Sequence, residues 1–131
     1  MKTSPKILQF VIILIFSLVL GACTNSGDVP AQTVELYYQA LVEKDEELLV
    51  NLSCGDWESM ALMELDSFMS VETILSEVSC QTISEDQTNA RVTCEGAISA
   101  SYDGEAREFP LTGKTYLVVQ EGGEWRVCGY E

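Results

Sequence analysis

The apolar residues of this chain change period once, near Ser76, and that change fixes the fold class. Before it the spacing is helical. From Pro30, the positions Val34, Tyr37, Tyr38, Leu41 and Val42 fall on one helix face, and Glu35, Gln39, Glu43 and Lys44 take the other. A helix over about residues 30–44 is predicted, with a proline in its first turn and Asp28 near its positive end. Asp45 is placed to cap a second, short helix whose apolar side is Leu48, Leu49 and Leu52. Gly55 and Asp56 break it, and Asp56 is placed to cap the next. Trp57, Met60, Ala61, Glu64, Leu65 and Phe68 then predict a third helix over about residues 57–69. Residues 71–76 stay open, because Val, Thr and Ile favour strand while Glu and Leu tolerate helix.

After Ser76 the period is two. Val78, Cys80, Thr82 and Ser84 alternate with Ser79, Gln81 and Ile83, and residues 85–89 form a polar turn. Ala90, Val92, Cys94, Gly96, Ile98, Ala100 and Tyr102 share one face of a long half-buried strand. Asp103-Gly104 is a hairpin signal. The next strand is predicted over about residues 106–120, with Pro110 marking a bulge or an edge, since proline cannot donate to the ladder. Gly122-Gly123 turns the chain into a last strand over about residues 124–130. Helices first and strands after mean α+β: helices packed on one face of a curved, mostly antiparallel sheet of three to five strands.

The first 22 residues have a separate character. A basic start with Lys2 and Lys6 leads into residues 7–20, apolar except for Gln9 and Ser17, and then into Leu20-Gly21-Ala22-Cys23. This is the layout of an export signal. Fourteen residues of helix reach about 21 Å, short of the ~30 Å hydrocarbon core. The tetrad resembles the bacterial lipobox, an aliphatic residue and two small ones before cysteine. That resemblance implies cleavage before Cys23, a diacylglycerol on its sulfur, and anchoring to the outer face of a bacterial membrane. The expected organisation is a signal peptide over 1–22, a lipidated cysteine and short tether over 23–29, and one α+β domain over 30–131.

The remaining cysteines agree with export. Cys54, Cys80, Cys94 and Cys128 form an even set with three conceivable pairings. Cys80 and Cys94 stand seven residues either side of Gln87, so a regular hairpin places them opposite each other. That leaves Cys54, after the second helix, for Cys128 in the last strand. A bulge between 80 and 94 would undo the assignment.

Charge and composition exclude several functions. Of 7 Lys+Arg, Lys2 and Lys6 precede Cys23, leaving five basic against 21 acidic side chains and a net charge of −16. No surface this acidic can neutralise a run of phosphates, so no nucleic-acid partner is expected. The chain has no histidine, which excludes Ser-His-Asp and Cys-His catalysis and the common zinc sites. There is no Cys-x-x-Cys and no calcium-loop pattern. Asp45-Glu46-Glu47 reads as a solvated first helical turn rather than a cation site, because adjacent helical carboxylates diverge. No metal and no cofactor is expected.

Tyr37-Tyr38-Gln39-Ala40-Leu41, followed by Lys44-Asp45 and Leu48-Leu49, resembles the opening of the nuclear-transport-factor-two-like superfamily. Tyr116-Leu117-Val118-Val119, Gly122-Gly123 and Glu124-Trp125-Arg126-Val127 resemble its last two strands. The resemblance implies a cystatin-like cone, a curved sheet wrapped around the first helix with a pocket at its open end. It also implies a range of roles, from isomerases, dehydratases and polyketide cyclases to non-catalytic binding domains. The enzymes generally use Asp–His or Asp–Tyr pairs inside the cone, and the first of these is impossible here.

Tyr37, Tyr38, Trp57, Phe68, Tyr102, Tyr116 and Trp125 are the candidate pocket residues, although so small a domain also needs its aromatics for the core. Glu64 and Asp66 are candidate acid–base groups if the cone encloses one of them. Glu124 and Arg126 flank Trp125 as an outer-face charge pair. The resulting expectation is a membrane-anchored, non-catalytic domain with no catalytic residues. It would bind a small molecule or an envelope protein and touch the membrane through the lipid on Cys23. The alternatives are an isomerase- or dehydratase-like enzyme using a buried carboxylate with a tyrosine, and a structural subunit of an envelope complex.

Overall fold

The structure, a computed structural model, describes residues 27–131; the expected signal over 1–22 and Cys23 lie outside the described residues. Three helices precede five strands among them: α1 Val29–Glu43, α2 Glu46–Asn51, α3 Glu58–Phe68, β1 Glu72–Glu85, β2 Asn89–Tyr102, β3 Glu105–Pro110, β4 Thr115–Glu121 and β5 Glu124–Tyr130. All strand pairs are antiparallel, in the order β1-β2-β4-β5, with β3 also paired to β2. The sheet curls around α1, giving the α+β arrangement expected. No helix among the described residues is long and apolar enough to cross a membrane.

Helix α1 begins where the sequence places it. The Asp28 side chain accepts from the Ala31 N–H, and a proline sits in the first turn. Its apolar face, Val34, Tyr37, Tyr38 and Leu41, is buried against the sheet. Asp45 caps α2 by accepting from the Leu48 N–H at 3.0 Å. Asp56 does not cap α3. The N-cap position is Trp57, without a side-chain cap, and the N–H groups of Trp57 and Glu58 go to the Cys54 carbonyl instead. The segment before α3 is also stitched to β5, with Cys54 N–H donating to Val127 O at 2.8 Å and Val127 N–H to Leu52 O at 2.7 Å.

Residues 71–76 resolve as strand from Glu72 onward, because Thr73, Ile74 and Leu75 pair with Ala100, Ser99 and Ile98. Beyond them β1 bulges. Between Ser76 and Ser79 it holds one residue more than the facing stretch of β2. Gly96 stands opposite with φ +102°, and a Cβ there would lie 2.6 Å from the Ser76 carbonyl oxygen, so glycine is required. The hairpin turn is closed by Asp86, whose carboxylate accepts from the N–H groups of Thr88 and Asn89 at 2.8 Å each.

Cys80 faces Cys94 in spite of a bulge on the turn side, between Thr82 and Ser84. The turn is centred half a residue past Gln87, and the extra residue of the bulge compensates. The cysteines lie at disulfide distance as Cys80–Cys94, with Cα atoms 4.1 Å apart, and Cys54–Cys128, with Cα atoms 5.2 Å apart.

The expected strand over 106–120 is two strands. Both lie on the same edge of β2, β3 against residues 97–102 and β4 against residues 89–93. From Ala97↔Pro110 to Thr93↔Thr115, β2 advances four residues and the outer chain five, and the excess is taken up at the Thr112-Gly113 turn. Pro110 is the last residue of edge strand β3, where no outer neighbour needs its missing N–H.

Candidate binding cleft

At the C-terminal end of α1 the curled sheet and α3 leave a cleft of about 260 Å³. Helix α1 supplies Tyr38 and Leu41. Helix α3 supplies Glu64, Ser67 and Phe68, which share a face because residues three and four apart stack on a helix. Ile98 of β2, Phe109 and Pro110 of β3, Leu111 and Lys114 of the following turn, and Tyr116 of β4 complete the lining. Phe68 and Phe109 meet edge to face across it, ring centres 6.1 Å apart.

Glu64 is the carboxylate of this site, and it is surrounded by phenols. Tyr37 Oη donates to Glu64 Oε2 at 2.7 Å and accepts from Trp57 Nε1 at 3.1 Å. Tyr38 and Tyr116 pack edge to face at 5.4 Å, and Tyr130 leans on Tyr116 at 5.4 Å and on Trp57 at 5.6 Å. Lys114 Nζ lies 4.1 Å above the Tyr130 ring. The Tyr38 hydroxyl is buried with no hydrogen-bond partner; the Tyr116 hydroxyl influences its titration without standing in bonding geometry.

Burial sets the ionisation of these phenols. It pushes Tyr38 up to about 12, against a lowering by the Tyr116 hydroxyl. Tyr37 and Tyr116 are pushed higher still, first by burial; the next cause is the Glu64 charge for Tyr37 and the neighbouring Tyr38 for Tyr116. Tyr130 is raised by its partial burial and then by Glu64. At neutral pH these phenols are therefore neutral hydroxyl groups.

Of the aromatics expected at a pocket, Tyr38, Phe68 and Tyr116 line the cleft. Tyr37 and Trp57 stand behind the lining, where they hold Glu64. Tyr102 lies beyond it at the end of β2, under Arg107, and Trp125 packs on the core from β5. These four were expected as lining because aromatic character marks burial without marking which cavity a side chain borders. Glu64 enters the site and Asp66 points to the outer side of α3, beside Met63 and Met69. Lys114, Phe109 and Leu111 were missed. A continuous strand over 106–120 gives no reason to bring them together, and the available signal was the Thr112-Gly113 turn. Asp45, Glu46 and Glu47 are exposed, and no metal-holding group of three or more acidic or cysteine side chains exists among the described residues.

Similar architecture is found in solved structures. An NTF2-like protein with a cystatin-like fold from Novosphingobium aromaticivorans aligns over 100% of this chain and 89% of its own, with a TM-score of 0.56 at 11% identity. The fold is the NTF2-like cone. A candidate dehydratase of the NTF2-like family from Streptomyces avermitilis shares the cone at TM-score 0.56 and 13% identity, over 79% of this chain and 92% of its own. So does a candidate polyketide cyclase from Pseudomonas putida, at TM-score 0.55 and 16% identity over 80% and 92%. Identities this low carry the cone and nothing of its chemistry. A scan against protein-family models finds no match, and neither does a search of curated proteins.

Proposed function

We propose that this chain is an exported domain, anchored by a lipid on Cys23, that binds a small and largely apolar molecule in the open end of its cone without transforming it. The observation that carries the binding reading is the cleft: apolar walls from Leu41, Phe68, Ile98, Phe109 and Leu111, with a buried Tyr38 hydroxyl left unpartnered in the lining. An unsatisfied buried hydroxyl costs about 1–3 kcal/mol, which a bound polar group would recover. The lipobox and the two cysteine pairs at disulfide distance support the address. Five residues from Cys23 to Asp28 reach at most about 18 Å. Leu41 lies thirteen residues further along α1, about 20 Å from that attachment. The mouth therefore lies at the end of α1 remote from the attachment, where a soluble ligand can reach it.

Indole is a suitable first probe, followed by backbone NMR shifts. Shifts confined to Tyr38, Ile98, Phe109 and Leu111, and lost in Ser67→Trp, are expected. Shifts elsewhere, or shifts that Ser67→Trp leaves intact, would sink the binding reading. For the anchor, Cys23→Ser should move the protein from the membrane to the soluble fraction, and a variant that stays on the membrane overturns it.

An isomerase- or dehydratase-like enzyme is the second reading, favoured by the same juxtaposition of Glu64 with tyrosine hydroxyls. It ranks second because Tyr37 already occupies Oε2, so a base must act through Oε1 or give up that bond. It predicts exchange of the α-protons of an added ketone with solvent deuterium, abolished in Glu64→Gln. Failure to see exchange with cyclic and aryl ketones removes it.

A further inference from the structure

The cleft holds two opposite charges that do not pair with each other, Glu64 and Lys114. Every other basic side chain of the described residues lies outside the cleft. Arg91 pairs with Glu131, Arg126 with Glu124, Lys44 donates to the Val71 carbonyl, and Arg107 lies over Tyr102. In a domain with 21 acidic residues, a cation kept from the carboxylate of its own cleft is a separated pair. Lys114 Nζ sits over the Tyr130 ring, 4.1 Å from its centre, and not on Glu64. A cation on an aromatic face is held more weakly than one hydrogen-bonded to a carboxylate, so Lys114 is free to turn towards an incoming anion. The remaining walls are apolar, and about 260 Å³ falls below the ~300–1,000 Å³ of sites for drug-sized molecules.

We infer that the ligand is a small zwitterion of the apolar α-amino-acid class. Its ammonium sits on Glu64, its carboxylate is taken by Lys114, and its side chain lies against Phe68, Phe109 and Leu111. This rests on the cleft being a binding site, and it names the class of molecule bound there. A free amino acid carries both charges on one carbon, so one small molecule answers both cleft residues. A simple amine or acid leaves one cleft charge unanswered, and a peptide separates its two charges too widely.

Titration calorimetry on the protein as the cell processes it tests the idea with three probes: L-phenylalanine, its amide, which keeps only the ammonium, and N-acetyl-L-phenylalanine, which keeps only the carboxylate. L-phenylalanine should bind at least tenfold more tightly than either. Lys114→Met, at a half-buried turn position, should weaken L-phenylalanine about ten- to hundredfold and make it equal to the amide. Glu64→Gln should weaken L-phenylalanine and the amide together, with circular dichroism confirming the fold. An amide that binds the unmodified protein as tightly as the amino acid overturns the inference, as does a Lys114→Met variant with unchanged affinity. If L-phenylalanine fails to bind while indole still shifts the cleft resonances, the zwitterion is wrong and the binding site stands.

Discussion

The two ends of α1 are finished differently. At its start, Asp28 accepts from the Thr82 N–H at 2.8 Å and from the Thr82 hydroxyl, and Glu35 accepts from the Cys80 N–H at 2.9 Å. These carboxylates occupy backbone donors of β1, an edge strand that would otherwise present them to another chain. At its end, the Thr73 hydroxyl and Lys44 bind backbone carbonyls, but beyond Leu41 the exposed strand β3 stands away and the cleft opens. One end satisfies its polar groups with local carboxylates. The other leaves Tyr38 without a partner and Glu64 and Lys114 apart. Consistency of sequence and structure is the rule for a stable fold, and it lapses at the end where a ligand would be received.

The largest test of this contrast is the pair of disulfides. Removing Cys54–Cys128, which closes a separation of 74 residues, should cost about 4–5 kcal/mol on the chain-entropy model; removing Cys80–Cys94, with a separation of 14, about 3 kcal/mol. Urea unfolding of the double alanine variants measures both. Only the first loss frees the segment leading into α3, so only it should also weaken probe binding in the cleft. Equal loss of binding in both variants would mean that the open end does not depend on the helical wall.

The next effect is confined to the open end. Burial raises Tyr38 from its ordinary value near 10 to about 12, so the folded state favours the neutral phenol. That contribution is complete below pH ~10 and is lost as the pH climbs through about 12, an effect of about 2–3 kcal/mol. Tyr37 and Tyr116, raised further, steepen the loss. Stability measured against pH should fall in this window together with the rise of tyrosinate absorbance, and Tyr38→Phe should make the fall shallower. A slope unchanged by Tyr38→Phe would place the sensitive group elsewhere.

Much of this architecture was legible in the residues, for reasons that also mark where reading stopped. The buried face of α1 was legible because four apolar side chains repeat at one spacing, and the hairpin because β2 alternates over its whole length. The facing of Cys80 and Cys94 follows from spacing, yet it holds only because a bulge offsets an off-centre turn. The division of 106–120 was not legible, because Pro110 signals an interruption without saying that the chain resumes on the same edge of β2. The site inherits that gap. Tyr38, Phe68 and Tyr116 are visible as aromatics, and Glu64 as a polar residue on an apolar helix. Lys114 becomes a cleft residue only through the turn at Thr112-Gly113, and no periodicity reports a turn's direction.

The smallest expected effect belongs to the closed end and separates the two ends most cleanly. Burial pushes the Asp28 carboxyl up, but hydrogen bonds from the Thr82 hydroxyl, the Thr82 N–H and the Ala31 N–H outweigh it and hold the group below its ordinary value. A depressed value means that the ionised tie contributes fully above the ordinary carboxylate range and is lost as pH falls through the lower, folded value. Asp28→Ala should therefore cost about 1 kcal/mol at neutral pH, the scale of a lost helix cap, and the gap between variant and parent should close in acid. Asp28→Asn keeps a good cap and should recover part of the loss at neutral pH while removing its acid dependence. Neither variant should change the affinity of a cleft probe, because the nearest lining residue of α1, Tyr38, is ten residues and about 15 Å along the helix. If Asp28→Ala weakens probe binding as much as a change at Glu64 does, the two ends of α1 are coupled, and the cone transmits what happens at its tether to its mouth.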